Sequence, residues 1–88
     1  MFEIKFTKSS VIDVAKLRKS DAGSFRKLDK LLDELKRHPE RGIGHPEQLK
    51  GTSVTTWSRH ISAKHRLVYE IQEKEVVILS AYGHYGDK

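Results

Sequence analysis

Apolar residues in this chain change their spacing twice, and that change limits the folds open to it. Phe25, Leu28, Leu31, Leu32 and Leu35 recur at the three-and-four spacing of a helix with one apolar face. Before that stretch, Phe2-Glu3-Ile4-Lys5-Phe6 alternates strictly, and after it Leu67, Tyr69 and Ile71 alternate again. Alternation of that kind marks a strand buried on one side. An element that is apolar on one face must cover that face with another element. Helical stripes flanked by one-sided strands therefore predict helices laid on one face of a sheet.

The punctuation of the chain sets the order of these elements. Thr7 to Ser10 is a polar break, and Ser10 followed by Asp13 resembles a capping box, which predicts a helix beginning there. Val11, Ile12, Val14, Ala15 and Leu17 supply its apolar stripe. Ser20-Asp21-Ala22-Gly23 interrupts it, and a second helix follows from about Asp21 or Ser24. His38-Pro39 ends that helix, because proline disfavours helical geometry in the residue before it. Residues 39–53 hold both prolines and few apolar side chains, which reads as a long loop, and long loops in small domains are usually functional or disordered. Three strands are expected at Thr55 to Ile61, Arg66 to Ile71 and Val76 to Ala81. The connections Ser62-Ala63-Lys64-His65 and Gln72-Glu73-Lys74-Glu75 are short and polar, as antiparallel hairpins require. The expected fold is α+β in the order β-α-α-β-β-β. Two N-terminal helices pack on a curved, mainly antiparallel sheet in a single domain spanning 1–88.

A chain of 88 residues buries a modest core, so oligomerisation or a bound partner is an expected source of stability. Cysteine is absent, which excludes disulfides and thiolate metal sites. The N-terminus carries charges where a signal peptide needs an apolar run, and no segment approaches the roughly 20 apolar residues of a membrane span. The expectation is a cytoplasmic protein with no membrane contact. Its formal charge is concentrated in one stretch. Residues 36–66 carry seven Lys or Arg against two Glu, a net of +5, while the flanking segments nearly cancel. Such a surface suits a polyanion, either nucleic acid or an acidic protein.

If the first hairpin closes with Ser62 to His65, Ile61 faces Arg66 and Arg59 faces Val68. Trp57, Arg59, Ile61, Arg66, Val68 and Glu70 then share the face away from the helices, and Ser58, His60, Leu67, Tyr69 and Ile71 share the other. Arg59 and Arg66 would lie diagonally on the outer face, where a phosphate would relieve their repulsion. His60 would point toward the helices as a partly buried polar residue that needs a partner. Trp57 is expected to pack, and Tyr85 could stack on a base. No pair of histidines has HExxH or related spacing, which predicts metal-free chemistry with no cofactor.

His45-Pro46-Glu47-Gln48-Leu49-Lys50, Trp57-Ser58-Arg59-His60-Ile61, His65-Arg66-Leu67-Val68-Tyr69 and the late His84-Tyr85 resemble the YoeB/Txe-type toxins of the RelE superfamily. The resemblance covers essentially the whole chain, and its segments are specific together though weak singly. It implies a toxin of a type II toxin–antitoxin pair that binds the ribosomal A site and cuts mRNA during translation. It further implies a homodimer, a YefM/Phd-type antitoxin as partner, and operator DNA contacted only as the toxin–antitoxin complex. By position, Glu47 matches the family's general base, Arg66 the arginine on the scissile phosphate, and His84 the general acid. Lys50 and Tyr85 match further site residues, and Arg59 is a candidate phosphate contact.

Three departures stand out. His60 occupies a position where the family often has a second arginine. His45 replaces a basic residue before the proline. The chain continues past Tyr85 with Gly86-Asp87-Lys88. The residues fit metal-free RNA cleavage: a base takes the 2′-hydroxyl proton, cations hold the phosphorane, and an acid protonates the leaving oxygen. Free glutamate titrates at about 4.3 and free histidine at about 6.5, so neither is well matched to its role at neutral pH. The isolated protein is therefore expected to cleave free RNA poorly. The competing readings are a non-nuclease ParE-like toxin and a basic module that binds nucleic acid or an antitoxin.

Overall fold

The computed structural model describes residues 1–49 and 55–83. Its elements run β1 (Glu3–Phe6), α1 (Lys8–Ser20), α2 (Ala22–Leu35), β2 (Glu47–Gln48), β3 (Thr56–His60), β4 (Arg66–Ile71) and β5 (Glu75–Ser80). The strands form one sheet in the order β1-β5-β4-β3-β2. Neighbours are antiparallel except β1 and β5, which pair in parallel. This is the expected α+β arrangement, with a two-residue strand added inside the long loop.

Both helices begin where a side chain receives their first free amides, as helix starts require. Thr7 caps α1 by accepting from the Ser10 amide at 3.1 Å. The expected start at Ser10 is therefore corrected: Ser10 sits buried in the first turn and donates its hydroxyl to the Thr7 carbonyl at 2.9 Å. Asp13 is not part of a capping box either. Its carboxylate accepts from the Ala81 amide at 3.0 Å and ties α1 to the chain leaving β5. Asp21 serves both helices. Its amide closes α1 on the Leu17 carbonyl, and its carboxylate accepts from the Ser24 hydroxyl and amide. Those two bonds from Ser24 hold the Asp21 carboxyl below its ordinary range.

The leucine stripe of α2 forms the core. Leu28, Leu31 and Leu35 meet Leu67, Tyr69, Val76 and Ile78, and all are fully or almost fully buried. Burying each such side chain stabilises by roughly 1.5–3 kcal/mol. The stripe read on α1 is weaker. Leu17 is buried and Val14 packs against the core, while Val11 and Ile12 stay exposed.

The first hairpin differs from expectation by one residue. His60 faces Arg66, Arg59 faces Leu67, and Ser58 faces Val68. The loop therefore holds five residues, Ile61 to His65. Its cause is Ser62, whose hydroxyl accepts from both the Lys64 and His65 amides and tightens the turn. Ile61 leaves the ladder and enters the core. A slip of one residue moves every side chain of a strand to the other face. Trp57 and Arg59 thus turn toward the helices, and Ser58 and His60 turn away. The assignment made for β4 stands: Arg66, Val68 and Glu70 lie on the outer side.

Candidate active site

The outer side of the sheet carries two rows of side chains. Glu47, Ser58, Val68 and Ser80 are register partners across β2, β3, β4 and β5, so they share one row. His60 and Arg66 form the next row. The bulge at Val68/Tyr69 brings Ser80 into the first row and lets Ala81 turn into the core. Strand spacing and rise place the Glu47 and Arg66 Cα atoms roughly 12 Å apart, a span that two long side chains can bridge around a phosphate. Ser58 and Val68 are buried although they face away from the helices.

Glu47 is exposed on the edge strand. It reaches that edge through backbone that ordinary residues avoid: Gly42 (φ 126°), Gly44 (φ 84°) and His45 (φ 52°). Gly44 has a second constraint. A Cβ there would lie 3.0 Å from both the His60 carbonyl and Leu31, where the His60 amide donates to the Gly44 carbonyl at 2.6 Å. His45, a non-glycine residue in left-handed backbone, sets its ring edge-on to His60 with centroids 5.9 Å apart.

Arg66 is half-buried, and its Nε is a buried donor without an acceptor among the described residues. Such a donor is costly unless something accepts from it. The Arg66 amide donates to the Gly83 carbonyl at 2.9 Å, and the Gly83 amide donates to His65 Nδ1 at 2.9 Å. Tyr82 tilts against the His65 ring at 4.6 Å, with the Lys16 ammonium 5.6 Å from the Tyr82 ring. The chain is thereby fixed at Gly83, one residue before His84 in sequence. His84, Tyr85 and Lys50 lie outside the described residues.

Arg59 is not a phosphate contact. It is fully buried on the helix side, the consequence of the one-residue slip. Its guanidinium donates to the Glu34 carboxylate and to the carbonyls of His38 (2.6 Å), Arg41 (2.8 Å) and Ile43 (3.2 Å), and its Nε donates to the Tyr69 hydroxyl at 3.1 Å. The Tyr69 hydroxyl in turn donates to the Pro39 carbonyl at 2.7 Å. Burial alone would raise the Glu34 carboxyl. The hydrogen bonds from Arg59 and the Ile43 amide outweigh it and hold Glu34 below its ordinary value. Burial raises the Tyr69 hydroxyl above its own ordinary value, offset in part by Arg59.

Glu47 and Arg66 thus share one face, and His60, expected to face the helices, belongs on that face too. Trp57 is half-buried and packs against the core, as expected. Among the described residues no group of three His, Cys, Asp or Glu could hold a metal ion. No described helix is long and apolar enough to cross a membrane.

Two helices thus pack on one face of a five-stranded sheet, and a carboxylate and an arginine stand on the other. Residues 6–85 match the family described as the YoeB-like toxin of the bacterial type II toxin–antitoxin system. The chain belongs to that family. It is 37% identical over 82 residues to the YoeB toxin of Streptomyces coelicolor, covering 93% of this chain and 98% of that one. A YoeB/ParE toxin from Agrobacterium tumefaciens superposes with a TM-score of 0.88 at 34% identity, over 96% of this chain and all of that one. The Staphylococcus aureus YoeB dimer gives 0.85 at 32% identity, over 96% of this chain and 98% of that one. The heterotetrameric YoeB–YefM toxin–antitoxin complex of that organism gives 0.82 at 31%, over 97% and 99%.

Proposed function

We propose that this toxin is a ribosome-dependent endoribonuclease that cuts mRNA in the A site without a metal ion. The observation that supports it is the Arg66 Nε, a buried donor with no acceptor among the described residues, on the same face as the Glu47 carboxylate. A phosphate oxygen is the acceptor this donor lacks, since guanidinium groups bind phosphate strongly.

Glu47 takes the proton from a 2′-hydroxyl, and that oxygen attacks the adjacent phosphorus. Negative charge grows on the phosphoryl oxygens, where Arg66 and Lys50 stabilise it. The bond to the 5′-oxygen breaks, His84 protonates that oxygen, and a 2′,3′-cyclic phosphate remains. Tyr85 stacks on a neighbouring base. His60, directly across from Arg66, adds a polar contact to the strand being cut. Glutamate is a weak base at neutral pH, so binding in the ribosome supplies the remaining alignment. The partner is an antitoxin of the YefM kind, as in the Staphylococcus aureus complex, and the free form is a homodimer, as in that organism's dimer. The toxin acts in the cytoplasm and meets operator DNA as part of the toxin–antitoxin complex.

Primer extension on mRNA from a translation extract tests the reading. Wild type should give cuts linked to codons, and Glu47→Ala, Arg66→Ala and His84→Ala should each weaken them by about 10²-fold or more. Absence of cuts from wild type, or undiminished cuts from all three variants, would overturn it. Rapid cleavage of naked RNA would remove the ribosome from the mechanism.

A further inference from the structure

We infer that Arg59, with Glu34 and Tyr69, is a positioning device for Glu47 and sets the catalytic rate without touching RNA. The inference rests on the nuclease reading above.

Residues 38–44 approach the sheet with the carbonyls of His38, Arg41 and Ile43 turned inward, and Arg59 donates to all three. An apolar side chain in that place would leave three carbonyls unsatisfied. A lysine would have three donors on a point charge, whereas the loop uses a planar fork. Glu34 neutralises the fork and also accepts from the Ile43 amide at 2.8 Å. The Tyr69 hydroxyl joins Arg59 to the Pro39 carbonyl. The guanidinium and its two neighbours therefore determine the path of the loop from Pro39 to Ile43. The next residue, Gly44, is tied to the His60 amide, and Glu47 pairs with Ser58. Arg59 lies between Ser58 and His60 on β3, so one strand holds the loop's inner path and its exit. Glu47 itself has only a two-residue strand behind it. Its placement depends on the loop before it.

Reading Arg59 as a stabiliser alone does not account for the choice of residue. A buried ion pair is often no more stabilising than apolar residues of equal volume. A fork that meets three carbonyls of one loop gives that loop a single path, which is what a general base on a short edge strand requires.

The test uses single-turnover cleavage of mRNA on programmed ribosomes, with Tyr69→Phe as the first lesion. It keeps the buried ring and removes the hydroxyl between Arg59 and Pro39. Glu34→Ala is the second. It removes the carboxylate that accepts from Arg59 and from the Ile43 amide and leaves the glycines of the loop in place. Either should lower the rate at saturating ribosomes on the order of 10–100-fold and leave the half-saturating concentration unchanged. In a Glu47→Ala background neither should lower the residual rate further, because both act through Glu47. Folding of each variant is followed by circular dichroism. Folded variants that cleave at the wild-type rate overturn the inference and leave the nuclease reading standing. Equal proportional losses with and without Glu47 also overturn it. A wild type that does not cleave overturns both.

Discussion

The loop leading to Glu47 wraps its carbonyls around a buried cation, whereas the turn at Gly83 is held at the rim of the sheet by one imidazole and one amide. Both segments lead toward candidate site residues, yet they are built from different forces. The first anchor is charged, desolvated and shared among many partners. Breaking any part of it leaves buried polar groups unpaired. The second is made of two single hydrogen bonds at a half-buried turn, one of them to the buried His65 ring, and it carries no buried ion pair. The first should behave as one unit and the second as separable contacts.

The largest effect expected from that contrast is Arg59→Ala. Loss of the guanidinium leaves Glu34 and the inward carbonyls without their donor, at a cost of about 3–5 kcal/mol. In a domain of this size Tm should fall by more than about 10 °C. A fall of only a few degrees in thermal unfolding would show that the loop finds other donors.

Glu34→Gln tests the charge of the same anchor. The folded Glu34 carboxyl titrates below its unfolded value of about 4.5, so its contribution is present above that pH and lost as pH falls through the lower folded value. The variant should be less stable than wild type at neutral pH, and the gap should narrow between pH 4.5 and the acid-unfolded limit. Parallel acid limbs for the two proteins would break the assignment of this slope to Glu34.

The rim anchor should respond least. His65→Leu removes the acceptor for the Gly83 amide and should cost about 0.5–1.5 kcal/mol locally. Exchange of the Gly83 amide should quicken roughly two- to tenfold, while the amides of α2 keep their protection. His65→Asn puts a carbonyl oxygen near the place of Nδ1 and should restore most of the difference. Global loss of protection in His65→Leu would erase the distinction between the two anchors.

Local patterns made much of the fold legible. The α2 leucines, the alternation of β4 and the proline after His38 each act within a few residues, and each was readable from its neighbours. The β3 register was not. It turns on the Ser62 hydroxyl taking two amides, and nothing in the composition of Ser62-Ala63-Lys64-His65 distinguishes four loop residues from five. That single residue decided the assignment of Arg59. On the outer face it would be a phosphate ligand, and on the inner face it is the hub of a loop. The partners that would have revealed this, Glu34 and Tyr69, lie 25 and 10 residues away. Strand β2 was hidden for another reason: two residues cannot display alternation. Among the candidate site residues, Glu47 and Arg66 were singled out by motif resemblance alone, and the structure sets them on one face. Lys50, His84 and Tyr85 fall outside the described residues, so their roles rest on sequence.

The parallel pairing of β1 with β5 bears on when this protein can first become active. Glu3 pairs with Glu75, which makes β1 dependent on a strand some seventy residues further along the chain. Strand β5 also lies between β1 and β4, so without it the sheet is divided and the β1 edge has no neighbour. Closing so long a span is slow, because chain entropy must be lost before the contact forms. A growing chain therefore has no complete sheet until residues 75–80 have emerged. Under the nuclease reading proposed above, the face that carries Glu47 and Arg66 gains its last row partner, Ser80, only when β5 pairs with β4.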